Sequence, residues 1–75
     1  MDIKELREMV VSLLTRKQCM HEDSLWQHIQ LATPDFSSEE RNAALYQILI
    51  PLIKSGNVRI TSGSGYDFYN WDGKS

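Results

Sequence analysis

The residues of this sequence that could hold a metal or act as a nucleophile are one cysteine and two histidines. They are Cys19, His21 and His28. A Cys-x-His spacing with one further histidine is not a recognised zinc pattern, although Glu22 or Asp23 could be proposed as another ligand. A Cys-His hydrolase would also need an orienting group and an oxyanion site in a cleft, and the sequence marks neither. We therefore expect a half-buried thiol, two surface or capping histidines, and no catalytic residue, metal site or cofactor.

The length and charge of the chain limit the functions that it can have. We expect residues 1–75 to form one domain, because so short a chain buries only about 60% of the surface that its unfolded form exposes. A deep catalytic cleft is not expected. The net charge of −2 argues against strong non-specific attraction to phosphate backbones. Acidity concentrates in residues 21–35, which carry Glu22, Asp23 and Asp35 and no lysine or arginine.

The longest nearly apolar run covers residues 43–53 and is interrupted by Gln47 and Pro51. It is too short to cross a bilayer, and the N-terminal residues show no apolar signal-peptide region. We expect a protein without membrane contact, in the cytoplasm or, if the source is eukaryotic, the nucleus. Because the apolar spacing continues to Ile53, we expect Pro51 to bend a helix rather than end it.

Three stretches place apolar residues at helical spacing, and they predict helices at about residues 2–16, 22–32 and 38–55. Asp2 and Ser37 stand directly before or at the start of the first and third helices. Each is followed three residues later by a glutamate, which is the spacing of a capping box.

The end of the chain predicts a β-hairpin. The segment "NVRIT" alternates apolar and polar residues, "SGSG" supplies turn residues, and "YDFYNW" is rich in strand formers. The strands are expected at about residues 58–61 and 66–71. If residues 63–65 form a three-residue loop, Ile60 pairs with Phe68.

That register distributes the aromatic residues over both faces of the ribbon. Tyr66 and Phe68 lie on the inner face, whereas Tyr69 and Trp71 lie on the other side with Arg59. Because a hairpin that only covers its own core needs one apolar face, the second face must meet the rest of the domain, a partner or solvent.

Three helices followed by a hairpin within about seventy residues resemble the winged-helix (winged helix-turn-helix) family of DNA-binding domains. The resemblance covers nearly the whole chain and includes the "TPDFSSEE" connection and "KSGNVRI". It implies an α+β fold with three helices and a C-terminal β-hairpin wing. Residues "QCM" are expected to supply the short strand that many such domains add to the wing sheet.

The resemblance also implies how the chain would read DNA. In the family's usual mode the third helix enters the major groove and the wing touches the backbone or minor groove. Arg41 could then contact a guanine, Asn42 an adenine edge, and Arg59 a phosphate. This requires the three side chains to lie side by side on one outer surface. The implied DNA-binding residues are Ser38, Arg41, Asn42, Tyr46, Arg59, Ser62 and Ser64.

The third helix is apolar around most of its circumference, which favours a different function. Ala43, Tyr46 and Ile50 lie together on the side away from its main apolar stripe. A helix that is apolar all round is buried on more than one side. Either the first helix and the wing cover this side, or it forms a dimer or partner surface together with Tyr69 and Trp71.

Two functions remain for this sequence. The first is a small DNA-binding protein that regulates transcription or replication and binds double-stranded DNA as a dimer, because one module with so few cations would hold a half-site weakly. The alternative is a winged-helix protein–protein interaction module that modulates a partner without binding DNA. Arg41, Asn42 and Arg59 favour DNA, whereas the acidic central segment favours the alternative.

Overall fold

The computed structural model describes residues 2–73. One short strand follows the first helix, and the other two strands of a small antiparallel sheet follow the third helix. Within this range the arrangement of three helices and a three-stranded sheet is consistent with a winged helix, which confirms the predicted fold class. The elements are α1 (Ile3–Lys17), β1 (Cys19–His21), α2 (Glu22–Ala32), α3 (Ser38–Lys54), β2 (Val58–Gly63) and β3 (Tyr66–Trp71).

Local hydrogen bonds fix the starts of α1 and α3 at the residues that the sequence predicts. The side chain of Asp2 accepts from the amide of Glu5 at 2.8 Å. At α3 the capping box is complete, because Ser37 accepts from the amide of Glu40 and the Glu40 carboxylate accepts from the amide of Ser37. Hydrogen bonds to the Glu40 carboxylate, first from the backbone amide of Ser37 and then from its side chain, lower the pKa of Glu40. The third helix continues through Pro51, also as predicted.

The predicted register of the hairpin is wrong by one residue. A two-residue turn, Ser64 and Gly65, joins β2 to β3, and both residues have positive φ, 54° and 81°. Such a turn matches the right-handed twist of the strands better than the three-residue loop that the sequence predicted. In the observed register Ile60 faces Tyr69, and Phe68 faces Thr61.

A shift of one residue moves every side chain of a strand to the opposite face. Tyr69 therefore lies on the inner face of the sheet, 8% exposed, and Trp71 packs half-buried against the core. The prediction that these two rings lie on the outer side with Arg59 is wrong. Tyr66 and Phe68 occupy that outer face, where their rings lie 4.8 and 5.1 Å from the ring of His21.

The sheet has the order β1-β3-β2, so the last strand lies in the middle. Met20 on β1 and Ile60 on β2 flank Tyr69 on either side. The short strand expected from "QCM" is thus present, one residue further along the chain. Because β3 pairs on both sides, Tyr69 is held between two strands and the helices beneath them.

All three helices and the sheet contribute to one hydrophobic core. Within residues 2–73, no helix combines the length and apolarity that a membrane span would need. The buried apolar residues are Leu6, Val10, Leu13, Leu14, Met20, Leu25, Ile29, Ala44, Leu45, Ile48, Leu49, Leu52, Val58 and Tyr69.

Candidate functional site

Cys19, His21 and His28 line one pocket, together with Lys17, Met20 and Ser24. Cys19 is exposed on β1, so the prediction of a half-buried thiol is wrong. His21 caps α2, because its Nδ1 accepts from the amide of Asp23 at 3.0 Å. His28 lies two turns further along α2, with its Nδ1 2.8 Å from the carbonyl oxygen of Ser24. Among residues 2–73, no group of three histidine, cysteine or acidic side chains could hold a metal ion.

Arg41 joins the start of α3 to the end of α2. Its Nη2 donates to the carbonyl oxygen of Thr33 at 2.7 Å, and its Nε donates to the carbonyl and hydroxyl oxygens of Thr33 at 3.2 and 3.1 Å. Thr33 is buried and Arg41 is half-buried. The guanidinium is thus engaged within the fold rather than presented to a base edge.

Arg59 is engaged as well, on the outer face of the sheet. Its Nη2 donates to the Asp72 carboxylate at 2.7 Å, and this bond raises the pKa of Arg59. Arg59 pairs with Asn70 across the strands, so it lies on the face opposite Tyr69. The side-chain amide of Asn70 donates to Thr61 beside it.

The structure therefore does not bring Arg41, Asn42 and Arg59 together on one outer surface, and that prediction is wrong. Asn42 lies on the same side of the sheet as Tyr69 and lines a depression with it. The three serines of the predicted site are exposed but dispersed. Ser38 begins α3, Ser62 donates to the Asp67 carboxylate at 2.7 Å, and Ser64 lies in the turn of the hairpin.

An uncovered apolar stripe runs along α3. We define the α3 stripe as Ala43, Tyr46 and Ile50, which lie three and four residues apart and so share one helix face. Tyr46 is 59% exposed and Ile50 is 46% exposed. Neither α1 nor the wing covers the stripe. Ile60, on the inner face of β2, is also exposed, at 44%.

Beside the stripe lies a depression of about 200 Å³ where α2, α3 and β3 meet. Its two buried residues are Leu45 and Tyr69, and Tyr46 belongs both to the depression and to the α3 stripe. Aromatic and acidic side chains dominate the lining, and no lysine or arginine contributes to it. The lining residues are Glu22, Asp23, Trp26, Asn42, Leu45, Tyr46 and Tyr69.

The pKa of Tyr69, which lines the depression, is affected by its burial and by the groups around it. Burial raises the pKa of Tyr69, and the charges of Glu22, Tyr46 and Asp67 raise it further. Each of these causes disfavours a negative charge on the hydroxyl oxygen of Tyr69. The charged residues that line the depression, Glu22 and Asp23, are both acidic.

No family model, no curated protein and no solved structure matches this chain. The function of the chain is therefore inferred from the geometry of the molecule itself. That geometry favours the side of α3 that carries Asn42, Tyr46 and Ile50.

The sequence pointed to half of this surface. It singled out Asn42 and Tyr46 on α3, but it considered Glu22 and Asp23 only as possible metal ligands and as part of an acidic segment, and it did not single out Trp26. Glu22 and Trp26 lie four residues apart and so share one helix face. This spacing is the sequence feature that could have indicated the α2 side of the depression. Only the packing of α2 against α3 and β3 brings that face to Tyr46.

Proposed function

We propose that this chain is a protein-interaction domain built on a winged-helix fold, and that it contacts its partner through the α3 stripe and the adjoining depression. The observation that carries the proposal is the uncovered stripe itself. Tyr46 and Ile50 present apolar surface on the helix that the core already covers on its other side. Contiguous exposed apolar surface with a polar rim is typical of protein-binding sites.

The charges beside the stripe support a protein partner rather than a phosphate backbone. Glu39 begins the exposed side of α3, and Glu22 and Asp23 border the depression. Duplex DNA binding depends on cations that release counterions from the phosphates. Arg41 and Arg59, the two arginines predicted to contact DNA, donate hydrogen bonds to Thr33 and Asp72 respectively.

Recognition of double-stranded DNA is the rival proposal, and it has less support. Asn42 and Tyr46 are exposed on α3 and could reach a groove. However, both would approach with carboxylates beside them and without a neighbouring free cation in the lining of the depression. We therefore favour the protein partner, with a second copy of the chain as one candidate for it.

Affinity capture with matched surface variants tests the proposal. The wild-type chain, Ile50→Glu and Leu31→Glu would each be used as bait in extracts of the source cells, with quantitative mass spectrometry of the captured proteins. Leu31 is the matched control because it is apolar and 83% exposed on α2, and it belongs neither to the stripe nor to the depression. We expect at least one protein that Ile50→Glu loses and Leu31→Glu retains.

The same variants separate a partner from self-association. Light scattering during gel filtration would show a dimer that Ile50→Glu dissociates if the stripe binds a second copy. If no protein, including a second copy, distinguishes Ile50→Glu from Leu31→Glu, the proposed function is wrong. Circular dichroism would establish that both variants fold, since each changes an exposed side chain.

A further inference from the structure

The depression beside the α3 stripe combines aromatic rings with carboxylates that have no cation of their own. Glu22 has no ion-pair partner among residues 2–73. The nearest candidate cation for Asp23 is His21, whose Nδ1 lies 3.9 Å from its carboxylate. That nitrogen accepts a hydrogen bond from the amide of Asp23, so it is not a donor to the carboxylate in this arrangement. Neither carboxylate has a lysine or arginine partner among residues 2–73.

A second and independent feature of the depression is the hydroxyl group of Tyr69. The residue is more than nine-tenths buried, and its hydroxyl has no hydrogen-bond partner among residues 2–73. Every fully enclosed polar side-chain atom in that range has a partner. The Tyr69 hydroxyl must therefore keep an opening, and the depression that it lines provides one.

We propose that this depression is a receptor for an arginine side chain of the partner protein. The proposal rests on the proposed function and names the chemistry that the partner must present. A guanidinium group has five donors in one plane, which suit the carboxylates of Glu22 and Asp23, the Tyr69 hydroxyl and the Asn42 carbonyl. Its flat faces stack on aromatic rings, and Trp26 and Tyr46 supply them.

Arginine fits the depression better than the other classes of side chain. A lysine ammonium group is more strongly hydrated and does not stack, so it loses more on entering an aromatic site. An apolar side chain would leave the Tyr69 hydroxyl and the carboxylates desolvated and unpaired. A phosphate or a carboxylate would be repelled by Glu22 and Asp23.

The minimal test uses the arginine side chain alone. N-acetyl-arginine N-methylamide, with the citrulline and lysine equivalents as controls, would be titrated into ¹⁵N-labelled protein and followed by two-dimensional NMR. We expect saturable, millimolar binding of the arginine probe, with shifts centred on Asn42, Tyr46 and the indole N–H of Trp26. The citrulline probe is isosteric and neutral and should cause none of these shifts, and the lysine probe should bind more weakly.

Matched variants locate the binding site. Glu22→Gln should weaken arginine binding by about threefold or more, the scale of one partly exposed charge pair. Tyr69→Phe should also weaken it while the ring is retained. Asp35→Asn removes an acid of equal charge outside the depression and should leave the affinity unchanged. An equal response to citrulline, or an equal loss in Asp35→Asn and Glu22→Gln, would overturn the proposal.

The experiments distinguish failure of the arginine receptor from failure of the proposed protein-interaction function. A partner that is captured through Ile50 and is bound equally well by Glu22→Gln and the wild type would overturn the arginine receptor and leave the interaction domain standing. Failure of Ile50→Glu to lose any protein would count against the interaction domain, whereas the NMR titration would still report on the depression alone.

Discussion

At the scale of single residues, Arg41 shows how a side chain that suits DNA can serve the fold instead. Three hydrogen-bond contacts join its guanidinium to Thr33, which ends α2. The carbonyl groups at the end of a helix lack partners within the helix, and a cation is favourable there. Arg41 therefore holds α3 against the end of α2, and its removal should affect stability.

We expect Arg41→Ala to lower the free energy of unfolding by about 1–2 kcal/mol, the scale of hydrogen bonds from a charged donor. Arg41→Lys keeps the charge but cannot form the forked contact, so its loss should be intermediate. Urea denaturation followed by circular dichroism measures both. Unchanged stability in Arg41→Ala would show that this guanidinium is free in solution, and would strengthen the DNA proposal.

We expect Tyr69 to make the stability of the protein depend on pH in the alkaline range. Its pKa is raised, first by burial and then by Glu22, Tyr46 and Asp67, so the fold favours the neutral phenol. This contribution to stability is complete below the ordinary tyrosine pKa of about 10 and is lost as the pH rises through the folded-state value.

The loss should disappear in Tyr69→Phe. We expect the free energy of unfolding of the wild type to fall more steeply above about pH 9 than that of this variant. Tyr66→Phe is the control, because Tyr66 is exposed on the outer face. Urea denaturation at a series of pH values measures the slopes. Equal slopes for Tyr69→Phe and Tyr66→Phe would contradict the assignment.

At the scale of elements, a two-residue turn decides what the hairpin presents. Ser64 and Gly65 both adopt left-handed backbone conformations. Residues in this conformation cost little when they are glycine and more when they carry a side chain. Because the turn sets the register, it also decides that Tyr69 lies inward and Phe68 outward.

Two glycines of the hairpin provide a matched pair of variants. An added Cβ meets open space at both Gly65 and Gly63, but only Gly65 has positive φ, at 81°. We expect Gly65→Ala to destabilise the fold by about 1 kcal/mol and Gly63→Ala to have little effect. Thermal denaturation of the two variants measures the difference. An equal effect at both positions would show that backbone conformation is not the cause.

At the scale of the whole molecule, the charges are arranged so that the α3 side is acidic. Lysine and arginine residues without a partner among residues 2–73 lie on α1 and at the end of α3. The acids Glu22, Asp23 and Glu39 lie beside Asn42 and Tyr46 or one turn before them. A phosphate backbone would meet repulsion along this side of the molecule.

We expect no measurable binding to mixed-sequence duplex DNA at physiological salt and little at low salt. A fluorescence titration at two salt concentrations measures it, and Arg59→Ala is the informative variant. Its guanidinium is already paired with Asp72, so its loss should leave the titration unchanged. Binding whose logarithmic affinity falls with the logarithm of salt concentration with a slope of several units, and which Arg59→Ala weakens, would contradict this expectation and favour the DNA-binding proposal.

The sequence by itself determined the parts of the fold that depend on neighbouring residues. The three helices lie within one residue of their predicted ends, and the Ser37 capping box is present. The second strand of the hairpin has its predicted bounds, Tyr66–Trp71, whereas β2 begins as predicted at Val58 and extends two residues past its predicted end, to Gly63. Helix caps and apolar spacing act within a few residues, so they can be read without knowledge of the remaining chain.

Only the tertiary structure decided which side chains are exposed for binding and which are engaged in contacts within the fold. The bonds from Arg41 to Thr33 cross from one helix to another, and the depression combines α2, α3 and Tyr69 of β3. The inward direction of Tyr69 depended on a choice between two turn lengths, which local sequence distinguishes weakly and which the burial of one strand face settles. Function at this surface therefore depends on contacts between residues distant in sequence, which spacing along the chain does not encode.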